Sequence, residues 1–171
     1  MRTALIFLLL ASSAVAQEKT GTTTPSACGP LDVKFEVNRN ESKSIEPEPA
    51  KALVYVVEDI GRPGSRCLVG CATVRVGLDG AWIGANHGTS HFLFFVEPGE
   101  HHLCANWQST LGRLSSTHSL ANFTADAGEV YYFRARVWAS DRRFLALDPV
   151  NADEGRYLVA TSPLSVSRAK N

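Results

Sequence analysis

Apolar and polar positions alternate along most of this chain with a period of two. Leu31, Val33, Phe35 and Val37 alternate with Asp32, Lys34 and Glu36, which predicts a strand with one buried and one wet face. Val130 to Trp138 repeats the pattern: Tyr131, Phe133, Ala135 and Val137 fall on one side, Tyr132, Arg134, Arg136 and Trp138 on the other. Two runs lack alternation. Ala52 to Val57 is apolar on both faces and suits a central strand, and Phe92 to Val96 reads as a strand between two covered faces, the deepest part of the core. Leu120 to Ala125 and Phe144 to Leu147 are shorter strands, the second ended by Asp148-Pro149.

Turn chemistry joins these runs. Asp79-Gly80 between Val74–Leu78 and Trp82–Ile83 predicts a type I′ hairpin, whose two central residues need positive φ. Pro98-Gly99 predicts a second reversal between Ser90–Val96 and His101–Trp107. Residues 74 to 107 therefore read as one antiparallel unit that the rest of the chain covers or extends. Stretches 38–50, 58–66 and 108–119, rich in Pro, Gly, Ser, Thr or charge, read as loops. Asn151 with Glu154 three residues on matches a capping box and predicts one short helix near the C-terminus, which Gly155 weakens by about 1 kcal/mol. About eight short strands punctuated by Gly and Pro predict an all-β fold, a two-sheet antiparallel β-sandwich, with an open barrel as the alternative.

Composition adds a compartment. Arg2, the apolar Leu5–Leu10 run and Ala14-Val15-Ala16 have the form of a secretory signal cleaved before Gln17, too short to span a bilayer. The expected organisation is a signal peptide at 1–16, a disordered Thr/Ser/Gly arm at 17–30, one β-sandwich domain at 31–164 and a polar tail at 165–171. Without Arg2, 16 basic residues face 17 acidic ones, a balance that disfavours nucleic acid and anionic membrane as partners. The even set Cys28, Cys67, Cys71 and Cys104 in an exported chain points to disulfides. Three pairings are open; the preferred one joins Cys67 to Cys71 in a small loop and Cys28 to Cys104, tying the N-terminal arm to the central sheet.

Several stretches also carry a likeness. Lys51-Ala52-Leu53-Val54-Tyr55-Val56, Gly77-Leu78-Asp79-Gly80-Ala81-Trp82-Ile83-Gly84, Pro98-Gly99-Glu100-His101-His102-Leu103, Ala127-Gly128-Glu129-Val130-Tyr131-Tyr132-Phe133 and Asp153-Glu154-Gly155 together resemble the exported bacterial family called domain of unknown function 2846, over about residues 50 to 160. The Asp-Gly hairpin followed by Pro-Gly-Glu-His is similar, more weakly, to the PEGA modules of bacterial surface proteins. The resemblance implies an envelope-directed β-sandwich without established activity, and it supplies no catalytic residues. The four cysteines and the arm before Lys51 lie outside the family pattern.

Little in the sequence points to catalysis. No Gly-x-Ser-x-Gly elbow or phosphate-cradling loop is present. His101 and His102 are adjacent on a strand and so point to opposite faces; a metal site would need His91 beside one of them. No catalytic set, metal or cofactor is expected. Trp82, Trp107 and Trp138, with Tyr132, Arg134 and Arg136, could line a face that binds a glycan or extended peptide by stacking; the alternative is that Trp82 and Trp107 cap the core. The preferred expectation is a non-enzymatic exported sandwich, a binding or structural module of the bacterial envelope, periplasmic or extracellular, whose partner would be an envelope protein or glycan.

Overall fold

The structure, a computed structural model, describes residues 28–40, 45–60, 71–109, 111–139 and 143–170, without the side chains of residues 138, 139 and 143. The expected signal peptide, most of the arm, Cys67 and the side chain of Trp138 lie outside the described residues. Ten strands and one helix follow in order: β1 (Lys34–Asn40), β2 (Ala52–Glu58), β3 (Thr73–Leu78), β4 (Ala81–His87), β5 (Ser90–Val96), β6 (Gly99–Gln108), β7 (Leu114–Ala125), β8 (Val130–Ala139), β9 (Arg143–Val150), α1 (Ala152–Ala160) and β10 (Leu164–Lys170). They form a six-stranded sheet, β1-β10-β5-β2-β8-β9, packed on a four-stranded sheet, β4-β3-β6-β7. The all-β sandwich expected from sequence is what the chain forms. It is not wholly antiparallel, because β10–β5 and β2–β8 pair in parallel.

The unit expected at residues 74 to 107 divides between the two sheets. The Asp79-Gly80 hairpin forms as expected, with φ of 49° and 92° at the two positions, and joins β3 to β4. Pro98-Gly99, by contrast, is a corner: β5 lies in the six-stranded sheet beside β2, whereas β6 crosses to pair with β3. The crossing sets Phe92, Phe94 and Val96 against the other sheet, whereas Leu93 and Phe95 alternate to the far face of β5. The deepest strand is β2, buried along its whole length, while Leu93, Phe94 and Phe95 of β5 remain half-buried. Between the sheets pack Val54, Val56, Val74, Val76, Phe92, Leu103, Ala105, Phe133, Leu145 and Leu147.

Three other expectations change. Residues 114–119, expected as loop, are the first half of β7, and 165–170 of the expected 165–171 tail belong to β10, which inserts between β1 and β5. Both are Ser-rich because each meets the core with few side chains and uses hydroxyls as connectors. Ser167 Oγ accepts the Ala85 amide at 3.0 Å, and Ser119 Oγ accepts the Leu147 amide at 3.0 Å, each linking one sheet to the border of the other. The Gln108 side chain does the same for β1, accepting from the Phe35 amide at 3.0 Å and donating to its carbonyl at 2.8 Å. Cys28 to Pro30, expected as the end of the disordered arm, have a defined place in the structure, and Cys28 is buried.

The helix forms where the cap predicts. The Asn151 side chain accepts from the amides of Asp153 and Glu154, and α1 packs on β8 and β2. Glu154 does not complete the box, since it pairs with Arg134 instead. Gly155 is the contact point: a Cβ there would lie 2.2 Å from Tyr132 Cγ, and Tyr132 is itself stacked on Tyr55 at 5.4 Å between ring centroids. Gly155→Ala should therefore cost roughly 1–3 kcal/mol by overpacking, against the gain of about 1 kcal/mol expected from helix propensity alone. Urea unfolding of the variant checks the sign.

Candidate functional site

The residues expected to form one stacking face do not share a surface. Trp82 stands on the outer face of the four-stranded sheet, packed on the Cys28–Cys104 disulfide, with its Nε1 donating to Pro30 O at 2.7 Å. Trp107, opposite Val74 in register, packs toward the core. Tyr132, Arg134 and Arg136 belong to the six-stranded sheet, on the side that α1 covers in part. Arg134 pairs with Asp59 and, at 2.8 Å, with Glu154; Arg136 pairs with Asp148 at 2.6 Å. These side chains hold elements together.

The outer face of the four-stranded sheet carries a strap, residues 28–33. The disulfide to Cys104 fixes its start, as the preferred pairing anticipated. Cys71 is also disulfide-bonded, to a partner outside the described residues. Beneath the strap Arg75 is fully buried. Its guanidinium donates to the carbonyls of Val33 and, at 3.5 Å, Leu31, and to Asn106 Oδ1, and it lies 4.3 Å from the centre of the Trp82 ring. Asn106 passes the connection to β7 by donating to the carbonyls of Ser115 and Thr117. Burial pulls the Arg75 pKa down to about 10, so the group is still a cation at neutral pH. Sequence reading missed Arg75, although a charged residue between Val74 and Val76, both core-facing, was the available signal.

Beyond the strap the same face opens into a shallow groove of about 240 Å³, lined by Glu100, His101, His102, Asn122, Phe123 and Thr124. Antiparallel register places His102 opposite Asn122 and Glu100 opposite Thr124, so four polar, exposed side chains sit on one patch of sheet. One corner is pinned by the hairpin. Asp79 Oδ1 accepts the His102 amide at 2.8 Å, and Asp79 Oδ2 lies 2.7 Å from His101 Nδ1. His101 Nε2 lies 2.7 Å from the carbonyl of Glu97. A carbonyl and a carboxylate can only accept, so satisfying both requires a proton on each ring nitrogen, an imidazolium. Comparison with family models, with curated proteins and with solved structures found no match.

Burial lowers the His101 pKa, but the Asp79 hydrogen bond, the Glu97 carbonyl and the Asp79 charge together raise it above the ordinary histidine value. A group raised in the folded state stabilises it fully below the unfolded pKa of about 6.5, and that contribution is lost as pH rises through the folded value. The stability advantage of the parent over His101→Gln should accordingly shrink in alkali. Urea midpoints of both proteins across that window, with the imidazole titrated by NMR, provide the check.

A second polar cluster closes one end of the sandwich. Glu58, the last residue of β2, continues the inward-facing row of Val54 and Val56 and is completely buried. The amides of Val74 and Gly88 approach the Glu58 carboxyl, but neither of its oxygens makes a hydrogen bond of normal geometry among the described residues, nor does Oδ1 of buried Asn86, whose Nδ2 donates to Val56 O at 2.9 Å. His87 bonds Thr73 at 3.0 Å, and Gly88, at φ of 64°, lies against Cys71 Sγ and Arg39. Burial raises the Glu58 pKa well above the usual carboxylate value, only partly offset by the amides of Val74 and Gly88 and the charge of Arg39. Among the described residues no three His, Cys, Asp or Glu side chains converge as metal ligands. No described helix is long and apolar enough to cross a membrane.

Proposed function

We propose that this chain is an exported, non-catalytic β-sandwich that serves as a binding or structural module of the bacterial cell envelope. The observation that carries the proposal is the oxidised state of all three described cysteines, two of which close a strap over a sheet face. Disulfides persist in oxidising compartments. The signal-like N-terminus and the resemblance to the domain of unknown function 2846 family support the same reading. The reactive-looking side chains, Arg75, Arg134, Arg136 and Trp82, are spent on internal connections.

The test is fractionation of a bacterial host expressing the full chain, with thiol alkylation before and after reduction. Recovery from the periplasm or medium, cleaved before Gln17, with four cysteines labelled only after reduction, is expected. Cytoplasmic retention with free thiols overturns it.

A second reading, binding of a glycan or extended peptide, is favoured by the open groove rather than by the tryptophans. Glu100, His102, Asn122 and Thr124 offer donors and acceptors on a rigid sheet. Titrating labelled protein with a chito-oligosaccharide and with a peptidoglycan stem peptide should shift the amides of these residues. Shifts centred on Trp82 would restore the aromatic face.

A further inference from the structure

We infer that the Glu58 end of the sandwich is a proton-binding site, in which the Glu58 carboxyl is held neutral and directs its O–H toward Asn86 Oδ1. A single proton then serves two of the unpaired oxygens at once, one on Glu58 and the one on Asn86. Among the described residues three buried oxygens at one end of the core make no hydrogen bond of normal geometry, and unpaired buried acceptors are rare enough in folded proteins to require an explanation. Placing one proton on the carboxyl converts an acceptor into a donor and gives Asn86 Oδ1 what it lacks.

The geometry supports this pairing. Val74 borders both residues: Asn86 is its cross-strand neighbour, and the Val74 amide acts on Glu58. The Asn86 amide nitrogen is committed to Val56 O, which directs Oδ1 away from that carbonyl. The surrounding charges permit a neutral acid. Arg39 of β1 is the cation acting on the site. His87 of β4, lowered by burial and by Arg39, is neutral at physiological pH. β3 contributes the Thr73 hydroxyl and the Val74 amide, β5 the Ser90 hydroxyl, which is engaged with the carbonyls of His87 and Gly88, and β8 the apolar Ala135 opposite Glu58. The disulfide at Cys71 does not titrate.

Loss of this proton leaves an anion between the sheets, where ionised groups are strongly disfavoured. The strand end where β2, β3 and β4 meet must then open to water or admit Arg39, so the site works as a clasp released by alkali. The direction follows from linkage. A carboxyl whose folded pKa is raised makes the folded state bind the extra proton. Stability is therefore lost as pH rises from the unfolded value of about 4.3 to the folded one, at about tenfold in the folding constant per pH unit.

The experiment compares parent and Glu58→Gln by urea unfolding between about pH 5 and pH 9. Hydrogen exchange at Val74, Asn86 and Gly88 is followed over the same range. The Gln variant, which carries a permanent donor, should lack the descending limb and keep those amides protected in alkali. A measurement on the parent alone covers misfolding of the variant: with carbon-13 glutamate, the infrared band of an un-ionised carboxylic acid should persist at neutral pH. Parallel pH profiles, or absence of that band, overturn the inference. So does stabilisation by added calcium without the band, which would assign the oxygens to a metal ion.

Discussion

Replacing both Cys28 and Cys104 by serine should lower stability by about 2–5 kcal/mol, the usual result of removing a native bridge. The bridge spans 76 residues, and in the chain-entropy view a closed loop of that length restricts the unfolded chain strongly. Its folded-state role adds to this. Cys104 is fully buried opposite Gly77, so one serine hydroxyl must find a partner in a site built for sulfur. The strap should loosen first. Protection of the Trp82 indole N–H, held by Pro30 O, should fall in the double variant before the global transition in urea, observable by NMR hydrogen exchange. Coincident loss across the whole chain would mean that strap and sandwich unfold as one unit.

Arg75→Ala should cost about as much, roughly 3–5 kcal/mol, the range found when one member of a buried charged network is removed. The guanidinium is the shared donor for Leu31 O, Val33 O and Asn106 Oδ1, and each of these acceptors loses its partner in the variant. The Trp82 ring loses the cation above it as well. The contrast with Arg156 is informative. That arginine pairs with Asp153 on the exposed surface of α1, and its alanine variant should fall within about 0.5 kcal/mol of the parent. Chemical denaturation of the two variants side by side measures the difference that burial makes.

What could be read in the sequence was whatever depends on local chemistry. Asp79-Gly80 is a hairpin because two successive positive φ angles admit few other residue pairs, and Asn151 starts a helix because its side chain serves two amides that have no other acceptor. The two-residue period of β8 survives intact, with Phe133 and Ala135 inward and Arg134 and Arg136 outward. What could not be read was pairing at a distance. Nothing in Ser90–Trp107 says that Pro98-Gly99 exchanges sheets, because a corner and a hairpin have the same turn residues. β10 and the first half of β7 were illegible because a strand at or near a border is specified by hydrogen bonds to its neighbour more than by apolar side chains.

The polar sites followed the same rule. Gly61, Pro63 and Gly64 predict a loop from Glu58 onward, yet the parity of Glu58 with Val54 and Val56 places it inside as the end of β2. The His101 position was visible as a histidine beside a turn, but its two acceptors come from residues 79 and 97, which only the folded chain brings to opposite sides of one ring. The groove needs Leu120–Ala125, which the sequence predicts as a strand, in register with β6, and register between two strands is not written in either alone.

The hydroxyl and amide links at the sandwich borders have a consequence for behaviour in solution. Border strands normally offer free N–H groups to other molecules, the first step toward fibrils. Here Ala85, Leu147 and Phe35, one on each of β4, β9 and β1, give theirs to Ser167, Ser119 and Gln108 of the opposing sheet. Each molecule thus saturates part of its own adhesive perimeter, and crowding many copies together leaves those three positions with nothing to offer a neighbour.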